Sequence, residues 1–358
     1  MEAHARGGQS GRGRPNRMMV RAAADDVAVF DVEPGPGLTL ASIRAAPKAA
    51  VGLIGEPDMW ERICLGLLRW KTMQRFNSRM ADSYLVYNND GTLRNAGELS
   101  DRLRREAEKA LEFFGPFGEL AGKHVVDIGC GDGQKTLVWA SRGARSVLGV
   151  DIDPARIGRA RRAAAETALA DRVRFEVAES NGLPSADEAF DVAIMTDVME
   201  HLARPAATLR ECRRVLRTGG VVLNLFKTWY SPRGSHLNDW IFVPWNHVLF
   251  PEASLIRVLR RMADNNPYIF FHFPALKRSP LPRALADLAD GGLNQMTLRR
   301  YRRLIQHSGL AVRVERLTGH GGDSGTRVVR LARHLARVPL LNEFVGGYVV
   351  TVLQKCQT

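Results

Sequence analysis

From residue 98 onward the chain alternates between two hydrophobic rhythms. A charged segment, Glu98 to Phe114, repeats its apolar positions at helical spacing, and short apolar runs bounded by turn residues then alternate with amphipathic stretches. The runs predict strands at 123–128, 145–151, 172–177, 190–195 and 220–226. The stretches between them predict helices near 133–142, 154–168 and 204–216, the last ended by Thr218-Gly219-Gly220. Strand–helix alternation of this kind demands a parallel sheet with helices on both faces, a doubly wound α/β fold. Upstream, between Pro57 and Tyr87, Trp60, Ile63, Cys64, Leu67 and Leu68 recur at three- and four-residue steps among Arg62, Arg69, Lys71 and Arg75. That pattern predicts an amphipathic basic helix, either a lid packed on the domain or a segment lying on a membrane surface. Asn88 to Gly91 reads as a turn.

The candidate chemistry starts at VVDIGCGDGQKT, Val125 to Thr136, a buried strand ending in Asp127 followed by glycines 129, 131 and 133 and a helix start. Glycine lets the backbone turn sharply and approach a ligand, while the unpaired N–H groups of the new helix face it. About 20 residues on, VLGVDID puts Asp151 at the tip of a second strand, where a carboxylate can take both hydroxyls of a ribose.

Over residues 110 to 230 the sequence resembles the class I S-adenosylmethionine-dependent methyltransferases. Four blocks carry the resemblance: DIGCGDG, VRFEVAESNGLP, FDVAIMTDVMEHL and LRTGGVVLNLF. It implies a Rossmann-like seven-stranded sheet in the order 3-2-1-4-5-7-6, the seventh strand antiparallel. Its last strands would be AVRVERL (311–317) and YVVTVL (348–353), with the helix MTLRRYRRLIQHSGL before the sixth. It also implies S-adenosylmethionine as cofactor. Gly129, Gly131 and Gly133, with Cys130 inside the loop, would cradle the methionyl part, and Asp127 would orient its ammonium. Asp151, with Ile152 beside it, would hold the ribose and Glu179, with Ser180, the adenine. Thr196 and Asp197 would end the fourth strand beside the sulfonium.

Residues 227–295 exceed what that fold needs. This insertion after strand five gathers Trp229, Tyr230, Trp240, Phe242, Trp245, Phe250, Tyr268, Phe270, Phe271 and Phe273. It falls where an acceptor would bind in such sheets, so it reads as a substrate cap, with plain aromatic scaffold as the alternative. An oxygen acceptor must lose a proton, and His201, His236 and His247 are the candidate bases. In DVMEHL, Asp197, Glu200 and His201 stand at i, i+3 and i+4, one face of a helix start. Ubiquinone-pathway O-methyltransferases and small-RNA 2′-O-methyltransferases show a similar ExxEH here. The RNA enzymes use it, with a histidine after strand five, to bind a divalent cation. His247 would be that histidine here. The alternative is an acid–histidine pair that braces the loop, and no metal ligand is assigned.

Composition narrows the setting. A net charge of +13, with 51 Lys and Arg against 38 Asp and Glu, favours acidic partners unless the arginines merely solvate the surface. Residues 277–337 hold 13 Lys or Arg and 4 Asp or Glu, but Arg299, Arg300, Arg302 and Arg303 spread around one helix rather than along a stripe. Residues 1–24 are Arg- and Gly-rich, with Glu2 as their one acid, and read as a disordered tail. Within it GRGRP matches an AT-hook core, the tail as a whole also fits a transit segment, and Met18 or Met19 offers another start. Four cysteines without metal-type spacing, no bilayer-length apolar run and no apolar signal core suggest a reducing, cytoplasmic setting.

The expected layout is therefore a tail (1–24), an N-terminal segment with lid helices (25–115), a cofactor-binding core (116–226), the insertion (227–295) and the end of the core sheet (296–358). The expected activity is O-methylation of a small aromatic or lipophilic acceptor, with peripheral membrane contact open. RNA 2′-O-methylation with a metal-binding DxxEH site is the rival enzyme, disfavoured by the absence of an RNA-binding module. A noncatalytic S-adenosylmethionine-binding protein is the third reading.

Overall fold

In the computed structural model the described residues are 56–68, 96–237, 240–241, 243–264, 269, 273–285, 293–319, 338 and 341–357. The basic tail with GRGRP, the continuation of the first helix past Leu68, the Asn88–Gly91 turn, and Phe242, Tyr268, Phe270 and Phe271 lie outside them.

Seven strands form one sheet: β1 His124–Ile128, β2 Ser146–Asp151, β3 Val173–Val177, β4 Phe190–Thr196, β5 Leu216–Lys227, β6 Ala311–Gly319 and β7 Gly346–Gln354. Their order is 3-2-1-4-5-7-6. The first five pair in parallel and β7 runs antiparallel between β5 and β6, the Rossmann-like arrangement the resemblance implied. The helices are α1 Met59–Leu68, α2 Ala96–Phe114, α3 Gln134–Ser141, α4 Pro154–Ala165, α5 Pro205–Val215, α6 Asn246–Leu249, α7 Glu252–Ala263, α8 Leu298–Gln306 and α9 Asn342–Val345.

Strand alternation divides the core in two. Val125, Val192, Ile194 and Leu223 point to one face, where they pack with Leu111 and Phe114 of α2, Trp139 of α3 and Ile157 of α4. Their neighbours Val126, Ala193, Met195 and Val222 point to the other, against Leu209 and Cys212 of α5 and Tyr301 and Ile305 of α8. Continuous apolar strands are what a sheet covered on both sides requires. All four cysteines are free. Among the described residues no helix is long and apolar enough to cross a membrane.

Two local expectations change. The fifth helix ends at Val215 instead of running into the glycines, and Leu216 opens β5 by pairing with Phe190. Gly219, at φ 83°, sits where the β4–β5 register slips, so Thr218-Gly219-Gly220 bends a strand and does not cap a helix. DVMEHL forms a short 3-10 turn, Met199–His201, and Asp197 takes a left-handed backbone at φ 56°. Asp197 therefore does not share a helix face with Glu200 and His201.

The insertion has its own core, in which Leu237, Ile241, Phe250 and Phe273 pack around α7 with Cys64 of α1. Several of its aromatics thus serve as scaffold. An ion network joins α1 to α7: Arg257 binds Asp58 and Glu61, and Arg261 Nε lies 2.9 Å from the buried Glu61.

One buried polar cluster stitches the second face together. The Tyr301 hydroxyl accepts from Asn224 Nδ2 at 2.7 Å and shares a hydrogen bond with Thr351 Oγ1 at 2.6 Å, and all three residues are fully buried. Tyr301→Phe removes the shared oxygen and leaves both partners in a dry core. Urea denaturation should show a loss of about 1–3 kcal/mol, the cost of unsatisfied buried polar groups. An unchanged midpoint would show that the cluster does not hold α8 to β5 and β7.

Candidate active site

The loop after β1 is wedged between its neighbours. Gly129, Gly131 and Gly133 all have positive φ, and a Cβ on Gly129 would stand 2.5 Å from Val198, one on Gly133 2.7 Å from Phe175. Only glycine fits both the conformation and the space. Asp151, at the end of β2, takes the Gly131 N–H on Oδ2 at 2.9 Å and the Asp153 N–H on Oδ1 at 3.0 Å, so one carboxylate fixes the glycine loop and the start of α4. Asp153 then caps α4 through the N–H groups of Ala155 and Arg156. Ile152 is 70% exposed beside this tip, and Glu179 is exposed just past β3. Ser180 bonds Thr208 of α5 at 2.8 Å. Cys130 is half-buried, and burial pushes its thiol well above the usual range.

Asp127 lies beneath the loop. Its Oδ2 accepts from Thr136 Oγ1 at 2.6 Å and Trp139 Nε1 at 3.0 Å, both on α3. Burial raises its carboxyl to about 6, against those hydrogen bonds and the nearby Lys135. This oxygen braces α3 against β1.

Past the end of β4, Asp197 meets two lysines to which the motifs gave no role, Lys227 at the end of β5 and Lys135 in the first turn of α3. Lys227 Nζ lies 3.1 Å from Asp197 Oδ1, and Lys135 Nζ lies 3.4 Å from Asp197 Oδ2 and 3.2 Å from Thr196 Oγ1. Burial alone would raise the Asp197 acid, but Lys227 and Lys135 outweigh it and hold the carboxyl well below the usual range. Lys227 also sits over the Tyr348 ring, 4.7 Å from its centre. Position was the available signal. Lys135 follows the glycine loop directly, and Lys227 closes a strand at the sheet edge where ligands bind.

Beyond Asp197, Glu200, His201 and His236 converge, with one ligand atom from each within 4.8 Å of the others. The two imidazoles meet edge to face at 5.0 Å. His236 Nε2 and Glu200 Oε1 are 3.3 Å apart without hydrogen-bond alignment, and both His236 Nε2 and Glu200 Oε2 are buried without a hydrogen-bond partner. His236 holds this place with a left-handed backbone, φ 58°. His247 does not join them. Its Nε2 lies 2.5 Å from the Trp229 carbonyl, its ring packs on the Trp229 indole, and burial lowers its pKa. The insertion thus contributes its earlier histidine, since α6 turns the later one back onto the segment that follows β5.

A family model for a methyltransferase domain matches residues 126–224. The ubiquinone biosynthesis O-methyltransferase of Neisseria meningitidis serogroup A is 34% identical over 164 residues, 42% of this chain and 67% of that protein. The chain belongs to the class I S-adenosylmethionine-dependent methyltransferases. The tocopherol O-methyltransferase of Arabidopsis thaliana is 32% identical over 48% of this chain and 51% of its own length. An uncharacterized methyltransferase of Mycobacterium avium is 29% identical over 42% and 64%. The chain thus spans between about half and two thirds of these relatives. A solved S-adenosylmethionine-dependent methyltransferase from Mesorhizobium loti shows a distant likeness, with a TM-score of 0.44 at 20% identity over 70% of this chain and 99% of that one.

The methyltransferase's raised Asp127 carboxyl has a pH signature. A carboxyl with a folded pKa of about 6 against an ordinary 3.8 takes up protons on folding, so its contribution is present below the unfolded value and is lost as pH rises through the folded one. Between pH 4 and 6.5 the wild type should lose stability relative to Asp127→Asn, by at most about 3 kcal/mol. The asparagine carbonyl can still accept from Thr136 and Trp139. Parallel curves of stability against pH would show that Asp127 is ionised in the fold throughout.

Proposed function

We propose that this methyltransferase transfers a methyl group to the hydroxyl of a small aromatic or lipophilic acceptor. The observation that carries the reading is the convergence of Glu200, His201 and His236 at the ligand edge of β4 and β5, a group of proton acceptors in which Glu200 is buried and both histidines are half-buried. Relatives named as ubiquinone and tocopherol O-methyltransferases support it. So does the position of Trp229 and Tyr230, which come just past the end of β5, after Thr228, at the start of the insertion.

Asp151 and Ile152 would hold the ribose of S-adenosylmethionine, Glu179 and Ser180 its adenine, and Gly129, Cys130, Gly131, Gly133 and Thr196 its methionyl end. Bound there, it would supply an activated methyl group, whose bond to the acceptor oxygen would form as its bond to sulfur broke, the electron pair leaving on a neutral thioether. The protein's part is to place the two reactants and take the hydroxyl proton. In this reading His201 or His236 takes that proton, with the Glu200 carboxylate beside them, whereas His247 is held by the Trp229 carbonyl.

A second reading adds a divalent cation, favoured by the buried, unpartnered Glu200 Oε2 and His236 Nε2. One carboxylate and two imidazoles fit such an ion, with Glu200, His201 and His236 as its ligands in place of the set containing Asp197 and His247. Bound there, it would lower the pKa of the acceptor hydroxyl.

S-adenosylhomocysteine at 100 times its dissociation constant should stabilise the fold by about 2.7 kcal/mol, and Asp151→Ala should remove most of the melting shift. A wild-type melting curve indifferent to millimolar ligand overturns the cofactor placement. For the cation, chelator-treated protein titrated with Mn²⁺ or Zn²⁺ should bind one ion, and Glu200→Gln should weaken it by about tenfold or more. Absence of binding heat leaves the histidines as simple bases.

A further inference from the structure

The Lys135–Asp197–Lys227 bridge is oddly composed for a structural ion pair. Two ammoniums from different elements share one carboxylate, one per oxygen, and the three side chains are only 23%, 29% and 15% exposed. Charges taken this far from water are stable only when closely paired. The pairing of Lys135 is loose: its contacts with Asp197 and Thr196 are 3.4 and 3.2 Å, against about 2.7–2.9 Å for a seated ammonium–carboxylate bond. Other charges face the bridge. Glu106 and Asp127 act on Lys135, Glu200 acts on Lys227, and His236 acts on Asp197.

Position tells what the bridge faces. Lys135 lies in the first turn of α3, directly after the glycine loop, and Asp197 precedes Val198, whose side chain abuts Gly129. The bridge therefore stands at the β4 side of the loop, opposite the Asp151 end that would hold the ribose. The amino-acid end of S-adenosylmethionine carries one carboxylate and one ammonium. A zwitterion needs a cation and an anion side by side, and Asp127, with Oδ2 committed to Thr136 and Trp139 under the loop, is poorly placed to supply the anion.

We propose that Lys135 and Asp197 are the seat of that zwitterion, Lys135 Nζ taking the α-carboxylate and Asp197 the α-ammonium, while Lys227 holds the other Asp197 oxygen and aims the carboxylate. The cofactor would insert between Lys135 and Asp197 and replace their long contact with two shorter charge-assisted bonds. The inference rests on the cofactor placement above.

Calorimetric titration with three ligands tests it: S-adenosylhomocysteine, its decarboxylated counterpart, and 5′-methylthioadenosine, which lacks the whole amino-acid end. The wild type should prefer S-adenosylhomocysteine over the decarboxylated ligand by about tenfold or more, as expected for a charge-assisted bond. Lys135→Met should erase that preference and leave 5′-methylthioadenosine affinity unchanged, which also shows that the variant is folded. Lys135→Arg should restore part of the preference. Asp197→Asn should weaken both amine-bearing ligands and spare 5′-methylthioadenosine. Retention of the full preference in Lys135→Met, or its absence in the wild type, overturns the seat. Failure of all three ligands to bind the wild type would instead overturn the cofactor placement on which it rests.

Discussion

The tight fit of the loop after β1, wedged between Val198 past the end of β4 and the Phe175 ring of β3, is the constraint on which the site depends. Val198 closes on Gly129 from one side, Phe175 on Gly133 from the other, and Asp151 holds the middle amide. A side chain at Gly129 or Gly133 would push these neighbours away from the loop, and with them the frame that holds Asp151 and Asp197. The parallel sheet delivers those two residues to one edge, and the glycines let them stay close enough to face a single ligand.

Around that edge the charges are sorted by depth. Asp127 is under the loop, closed in by α3, and its environment favours the neutral acid. Asp197, at the end of the neighbouring strand, meets two lysines and is held as the anion. Two aspartates on adjacent strands are thus driven in opposite directions by what surrounds them, one bracing the scaffold and the other presenting charge.

The strands and the glycine loop were legible in the sequence, because apolar runs between turns report burial directly and the DIGCGDG block requires its conformation, whereas the strand order followed only from the family resemblance. The acceptor side was less so. The i, i+3, i+4 spacing of Asp197, Glu200 and His201 suggested one helix face, but a left-handed residue and a 3-10 turn redirected Asp197 toward the lysines. His247 and His236 were equal candidates, since choosing between them depended on how an insertion folds around α7. Lys135 and Lys227 are 92 residues apart and carry no pattern, and only the β1–β4–β5 adjacency makes them partners. The aromatic count of the insertion was likewise ambiguous, with Phe250 and Phe273 in its private core.

The ion network between α1 and α7 has a consequence for where this enzyme can be cut. Glu61 and Asp58 neutralise Arg257 and Arg261, and Cys64 fills the insertion's core from outside the catalytic domain proper. A minimal fragment beginning at β1, although it would contain every strand, would strand two guanidiniums against an opened apolar surface. The ten residues of α1 therefore belong to the folding unit of the insertion despite lying nearly 200 positions away in the chain, and their loss would be felt first as aggregation through the insertion's opened core.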